Sequence, residues 1–264
     1  MLDIVNATKI FAKGTPNEHK ALDRLSLSLK EGEFVTILGS NGAGKSTLFN
    51  AICGNFLLDE GGVFLDGRYI SHLPEYKRAS VIGRLFQDPM RGTAPNLTIE
   101  ENLALAYSKN TRGRFRFAIS GKDRELFREE LSRFDMGLED RMTTRIGLLS
   151  GGQRQVVTLL MSTIVTPRLL LLDEHTAALD PATADKVMAI TNDIVSSRNL
   201  TTLMITHNIG QALNTGSRTI MMDEGNIIFD FDAEARAHMT VSELMDMYSE
   251  KKKAAFDTDR MLFS

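Results

Sequence analysis

Along the first eighty residues the apolar positions come in short runs separated by polar breakers. Leu2 to Ile10 reads as a strand, and Ala12 to Lys20, with Gly14 and Pro16 inside it, reads as a polar loop. Leu25-Ser26-Leu27-Ser28-Leu29 alternates strictly, the period of a half-buried strand. Phe34 to Leu38 is a compact apolar run readable as a buried strand. Val63-Phe64-Leu65 and Arg68-Tyr69-Ile70 flank Asp66-Gly67, which predicts a hairpin, and Val81 to Phe86 predicts a further strand ending at Gln87.

From about Asp88 to Thr166 the pattern turns helical. Thr98-Ile99-Glu100-Glu101 fits a capping box opening a helix through about Ser108. Lys122 to Phe134 is a second, charged helix, and Gln153 to Val165 a third that stops before Pro167. Alternation of strand and helix then resumes: Leu169 to Leu172 is a strand, Pro181 to Ser196 a helix begun by proline, and Thr202 to Thr206 a strand. A last hairpin pairs Thr219 to Met222 with Ile227 to Phe229 around Glu224-Gly225-Asn226, and Val241 to Lys253 reads as a short helix with a charged tail. The expected architecture is an α/β core interrupted by a mainly helical lobe, without internal repeats or low-complexity linkers.

Composition narrows this picture without changing it. The 264 residues are 42% hydrophobic and 25% charged, the balance of an ordinary soluble globule. A net charge of −3 gives no reason to expect bulk nucleic-acid binding. Cys53 stands alone, so no intrachain disulfide is possible; a small buried hydrophobe in a reducing compartment is the expectation. No apolar run approaches the roughly 20 residues of a membrane-spanning helix, and the start lacks the pattern of a signal peptide. Any action at a membrane is therefore expected from its surface, through a partner.

The chemistry begins at Gly39-Ser40-Asn41-Gly42-Ala43-Gly44-Lys45-Ser46-Thr47, a G-x-x-x-x-G-K-S/T phosphate-binding loop between a strand and a helix. Its glycines let successive N–H groups turn toward phosphate oxygens, Lys45 reaches the β- and γ-phosphates, and the Ser46 hydroxyl is placed for Mg²⁺. Further on, Leu149-Ser150-Gly151-Gly152-Gln153-Arg154-Gln155 puts a hydroxyl and two bare glycines at a helix start, and Leu169 to Leu172 leads into Asp173 and Glu174. Together these segments resemble the ATP-binding-cassette (ABC) ATPases, from about Leu2 to about Asp230.

The resemblance implies a P-loop NTPase (RecA-like) core with an antiparallel β-subdomain, about 1–87 and 167–230. It also implies a helical subdomain at about 88–166, and a short tail at about 231–264. It implies ATP and Mg²⁺ as cofactors, with Ser46, Gln87 and Asp173 at the metal and Glu174 as the base that orients water. His207 resembles the switch histidine, Gln87 the Q-loop glutamine, Phe11 the aromatic that stacks on the base, and Asp180 the D-loop residue that communicates across a dimer. Ser150, Gly151, Gly152 and Gln153 would close over the nucleotide of a second subunit, so a head-to-tail homodimer is implied. His175 stands where many members have proline; tuning of Glu174 or of the D-loop and a neutral packing role are all open.

The helical insertion is too short for the coiled coil of chromosome-structure ATPases, and the chain holds one cassette where translation-type members usually hold two. A transporter subunit is thus favoured over a soluble mechano-ATPase in translation or repair, and Glu174 with His207 argues against a non-hydrolytic module. Ala94 to Leu103 resembles the stretch that meets a permease. Gly83 to Pro95 and the Asp173 to Asp180 run look like the ATPase of a small bacterial uptake system linked to tryptophan or other aromatic amino acids. The implied partners are permease subunits, a second ATPase copy and, indirectly, an extracytoplasmic binding protein; the implied place is the cytoplasmic face of the cell membrane. Lys109, Arg112, Arg114 and Arg116, interleaved with Phe115 and Phe117, could meet an anionic membrane surface or a permease.

Overall fold

The computed structural model describes residues 1–108 and 119–262. The basic-aromatic stretch from Lys109 to Phe117 lies outside the described residues.

Two sheets organise the chain. The first is antiparallel, in the order β2-β1-β4-β5, from β1 (Leu2–Phe11), β2 (His19–Leu29), β4 (Glu60–Leu65) and β5 (Arg68–Tyr69). Its hairpin turns at Asp66 and Gly67, with φ of 51° and 72°, the left-handed pair that a two-residue turn requires. The second sheet has the order β10-β9-β3-β8-β7-β6. It is built from β3 (Phe34–Gly39), β6 (Ile82–Leu85), β7 (Leu169–Asp173), β8 (Thr201–Ile205), β9 (Arg218–Asp223) and β10 (Asn226–Phe231). Five of these strands run parallel and β10 closes the edge antiparallel.

The leucines of β7 show why this sheet lies in the middle of the molecule. Leu169 and Leu171 join the core under the first sheet and α1 (Lys45–Cys53), with Phe49 and Ile52. Leu170 and Leu172 point the other way, into a core shared with the helices between β6 and β7. Those helices are α3 (Ile99–Tyr107), α4 (Gly121–Ser132) and α5 (Gly151–Thr163). α6 (Pro181–Ser197) covers the same face. Successive residues of a strand face opposite ways, so a run buried on both faces must be apolar throughout.

The capping box expected at Thr98 is formed, and two more open α4 on Ser120 and α5 on Ser150. Three short helices go beyond the sequence reading: α2 (Glu75–Arg78), α7 (Ile209–Asn214) and α8 (Ala233–Ala237). β2 also starts at His19, inside the expected loop. The last helix, α9 (Val241–Leu262), runs past the expected end at Lys253.

Two of the short helices each carry a buried arginine that ends a neighbouring helix. Arg78 is 2% exposed. Its guanidinium donates to the carbonyls of Ala51 and Ile52 at 2.8 and 3.0 Å, and to Ser71 and Leu73. Those first two carbonyls belong to the last turn of α1, where helical partners run out. Gly54 follows with φ of 84°, and a Cβ there would sit 2.6 Å from Arg78 Nε. Arg236 does the same for α7, donating through Nη2 to Ala212, Leu213 and Thr215. Burial pushes the pKa of both arginines down, yet each carbonyl they reach loses a donor if they go; Ala51 keeps the Gly54 N–H and Ala212 the Thr36 and Thr219 hydroxyls.

Arg78→Met is expected to lower unfolding free energy by about 2–4 kcal/mol, because buried carbonyls are left unpaired. Urea denaturation followed by circular dichroism measures this; a change under about 0.5 kcal/mol would show that the carbonyls find other donors.

Candidate active site

The parallel strands β3, β6, β7 and β8 all deliver the expected residues from their C-terminal ends, the edge at which open α/β sheets bind ligands. β3 runs into the phosphate loop, and the loop runs into α1. Gly44 takes φ of 98° and Gly42 84°, conformations that bring consecutive N–H groups to one side. Lys45 is 6% exposed, with Nζ donating to the carbonyls of Gly39 (2.7 Å) and Ser40 (2.9 Å). Burial pushes its pKa below the usual lysine value, while Glu174 and Asp173 pull it back up. Asn41, Gly42 and Ser46 are exposed on the loop, Ala43 is buried beneath it and Thr47 is half-buried.

β7 ends at Asp173, and Glu174 follows with φ of 46°. A left-handed conformation costs a non-glycine residue about 1 kcal/mol. It is held here by the Glu174 N–H donating to Ile205 of β8 at 3.0 Å. That turn aims the carboxylate at His207, two residues past β8, whose Nε2 lies 2.6 Å from Glu174 Oε1. Three side chains hold the segment around His207. Thr206 donates to Gln211 (2.6 Å), Gln211 to Thr176 (3.3 Å), and the Asn208 N–H to Thr206 (3.1 Å).

Asp173 is met by a residue that the sequence reading passed over. Arg84, in β6, places Nη2 3.3 Å from Asp173 Oδ2 and Nη1 2.8 Å from Asn50 Oδ1, with its guanidinium over the Phe86 ring at 4.7 Å. Its buried Nε finds no acceptor among the described residues. The signal in the sequence was a charge inside an otherwise apolar strand, three residues before Gln87. Gln87 itself is exposed just past β6.

The signature residues form a second group. Ser150 caps α5, its Oγ accepting from the Gln153 N–H, and the Gln153 side chain returns to the Ser150 N–H. Gly152 packs against the start of α6, where a Cβ would fall 2.2 Å from Thr183 Cγ2; a Cβ on Gly151 would meet Leu179 Cδ2 at 3.2 Å. Asp180 caps α6 by accepting from the Thr183 N–H at 3.1 Å. The hydrogen bonds with Thr183 hold its carboxyl below the usual aspartate range. Phe11, at the end of β1, is 39% exposed, with Phe56 edge-on at 5.5 Å.

His175 is resolved in favour of packing. It is 3% exposed, and Nε2 lies 3.1 Å from Thr191 Oγ1. Thr191 spends its own proton on the Val187 carbonyl, so His175 Nε2 is the donor. Burial lowers its pKa to about 4.

The unfolded chain takes up a proton near pH 6.5 and the folded one only near 4, so this histidine's contribution is whole above 6.5 and lost as pH falls. Between those limits the fold is expected to lose about 3 kcal/mol on this account. Urea midpoints measured at pH 7.5 and 5 should converge in His175→Gln relative to the parent; equal pH slopes would assign the acid sensitivity elsewhere.

Known proteins are similar to this chain in sequence and fold. The family model described as ABC transporter matches residues 22–177. The chain is 40% identical over 248 residues to the tyrosine transport ATP-binding protein of Clostridioides difficile, covering 94% of this chain and 98% of that one. It is 35% identical over 239 residues to a phosphonates import ATP-binding protein of Halobacterium salinarum, covering 90% and 81%. Among solved structures, a dimeric ATP-binding cassette in a post-hydrolysis state with ADP and Pi matches with a TM-score of 0.75. The two are 31% identical, over 88% of this chain and 99% of that one. Taken with the geometry of the strand ends, these matches establish that the chain belongs to the ABC transporter family, as an ATP-binding and ATP-hydrolysing subunit.

Proposed function

We propose that this chain powers a bacterial importer from the cytoplasmic face of the membrane, as a homodimer docked on permease subunits, and that its cargo is an aromatic amino acid. The observation that carries the catalytic part is the 2.6 Å contact between His207 and Glu174 beside the buried ammonium of Lys45. In this reading Lys45 leaves the carbonyls of Gly39 and Ser40 for the β- and γ-phosphate oxygens. Glu174 accepts a proton from the attacking water, and His207 holds the γ-phosphate and the Glu174 carboxylate in register. Phe11 offers a ring face to the base. Ser150, Gly151 and Gly152 present the α5 N-terminus to the phosphate of the partner's nucleotide, with Gln153 shaping that cap and Asp180 beside it.

Ser46, Asp173 and Gln87 offer only oxygen ligands, a donor set that suits Mg²⁺. Bound there, the ion would neutralise charge on the phosphates. Arg84 must then share Asp173 with it.

The permease reading rests on a groove. Between α2, β6, α3 and α5 lies a cavity of about 410 Å³, lined by Arg84, Phe86, Ala94, Leu105, Ala106 and Met161 among others. Leu105 is 53% exposed at its rim, and Tyr76 is exposed on the adjoining α2. None of the described helices is long and apolar enough to cross a membrane, so contact with one would come through such a groove. The aromatic cargo rests on the relative described as a tyrosine transport ATP-binding protein. The cassette itself touches nucleotide and permease and holds no cargo pocket in this reading.

Affinity purification from detergent-solubilised membranes, with mass spectrometry, tests the assembly. A multi-span permease near stoichiometric amount is expected; ribosomes or repair proteins in its place would overturn the transporter reading. Leu105→Asp is expected to lose the permease while binding ATP within about twofold of the parent, about 0.4 kcal/mol. Glu174→Gln with excess Mg-ATP is expected to run as a dimer in size-exclusion chromatography with light scattering. A monomer under those conditions would count against the shared-nucleotide dimer.

A further inference from the structure

One carboxylate oxygen joins the phosphate loop to the last helix. Asp223 ends β9, next to Met222, which pairs with Gly39 across the sheet. Its Oδ1 accepts from Ser40 Oγ at 3.0 Å and from Tyr248 Oη at 3.2 Å, and Lys252 Nζ lies 3.7 Å away. Tyr248 and Lys252 belong to α9. That helix is seated by Leu244, fully buried in a cluster with Leu38 and Met221. Lys251 pins it further by donating to the Ile228 carbonyl at 2.8 Å. Leu38 immediately precedes Gly39, so α9 reaches the phosphate loop on an apolar and a polar side at once.

Ser40 is held at two points, its carbonyl by Lys45 and its hydroxyl by Asp223. When Lys45 turns to a phosphate, the first restraint goes and the second remains. Asp223 also carries a negative charge close to a loop that receives phosphate. The Tyr248 hydroxyl and the Lys252 ammonium offset that charge where water cannot fully do so, the Asp223 side chain being 15% exposed.

We infer that Asp223 is a positioning residue for the phosphate loop, and that α9, through Tyr248 and Lys252, sets nucleotide affinity by holding and neutralising that carboxylate. The C-terminal helix is thereby a point at which affinity is controlled from outside the nucleotide site. This holds for the ATPase whatever permease or cargo it serves.

Calorimetric titration of the full chain with ADP tests it. Tyr248→Phe keeps the ring and removes only the hydroxyl; it is expected to weaken ADP binding about threefold. Lys252→Met is expected to do the same, and the double variant to reach about tenfold, each on the scale of one lost hydrogen bond. Asp223→Asn, which keeps an acceptor for Ser40 and removes the charge, is expected to restore most of the affinity in the Lys252→Met background. Melting temperatures within about 2 °C of the parent mark the effect as positioning and not unfolding. ADP affinity within twofold in the double variant would overturn the inference. So would a loss that tracks a falling melting temperature and is not rescued by Asp223→Asn.

Discussion

The phosphate loop is gripped between two stretches of backbone with no room for a side chain, and the rest of the site depends on that grip. A Cβ on Gly39 would stand 2.3 Å from the Met222 carbonyl, and one on Gly44 2.5 Å from the Ala21 carbonyl. The first contact comes from β9 in the parallel sheet, the second from β2 in the antiparallel one. The two sheets therefore meet at the loop, and the Gly225 N–H donating to Ala43 at 3.1 Å closes the join. Preorganisation of this kind lets backbone donors face an anion without reorganising when it arrives.

Around this grip, most buried polar groups are placed so that each has an answer. Arg78 and Arg236 end α1 and α7, and the neutral His175 ring donates to Thr191. Lys45, whose burial disfavours its charge, is met by two carbonyls and by the field of Asp173 and Glu174. Such networks cost the fold little while complete and much when one member is removed, which fixes where the strand ends sit relative to one another. Four atoms among the described residues are exceptions, Arg84 Nε, Arg236 Nε, Glu139 Oε2 and Gln155 Nε2; that of Arg84 lies beside the groove, while the other end of its guanidinium bonds Asp173. The groove and the nucleotide site are thus one guanidinium apart.

Much of the fold was legible because local rules agree with the global arrangement. The Asp66-Gly67 turn, the Thr98 capping box and the helix start at Ser150 formed where the sequence indicated. The motifs from Gly39 to Thr47 and from Leu149 to Glu174 carried the resemblance to the family through spacing and residue type. Helices α2, α7 and α8, with four, six and five residues, hold too few turns to show a period. The start of β2 at His19 was hidden by polar residues on an exposed stretch, where pairing with Phe11 of β1 outweighs composition.

By itself the sequence determined the longer elements, the ATPase chemistry and the order of the strands that deliver it. Those follow from side-chain period, glycine conformation and the needs of phosphate, all encoded within a few consecutive residues. Only the tertiary structure decided which distant groups share a proton or a charge. It brought His207 to Glu174, Arg84 to Asp173, and Tyr248 to the carboxylate that holds Ser40. The two residues of each pair lie between 25 and 89 positions apart along the chain. Contacts of that range are set by how sheets and helices pack, and no local pattern of residues records them.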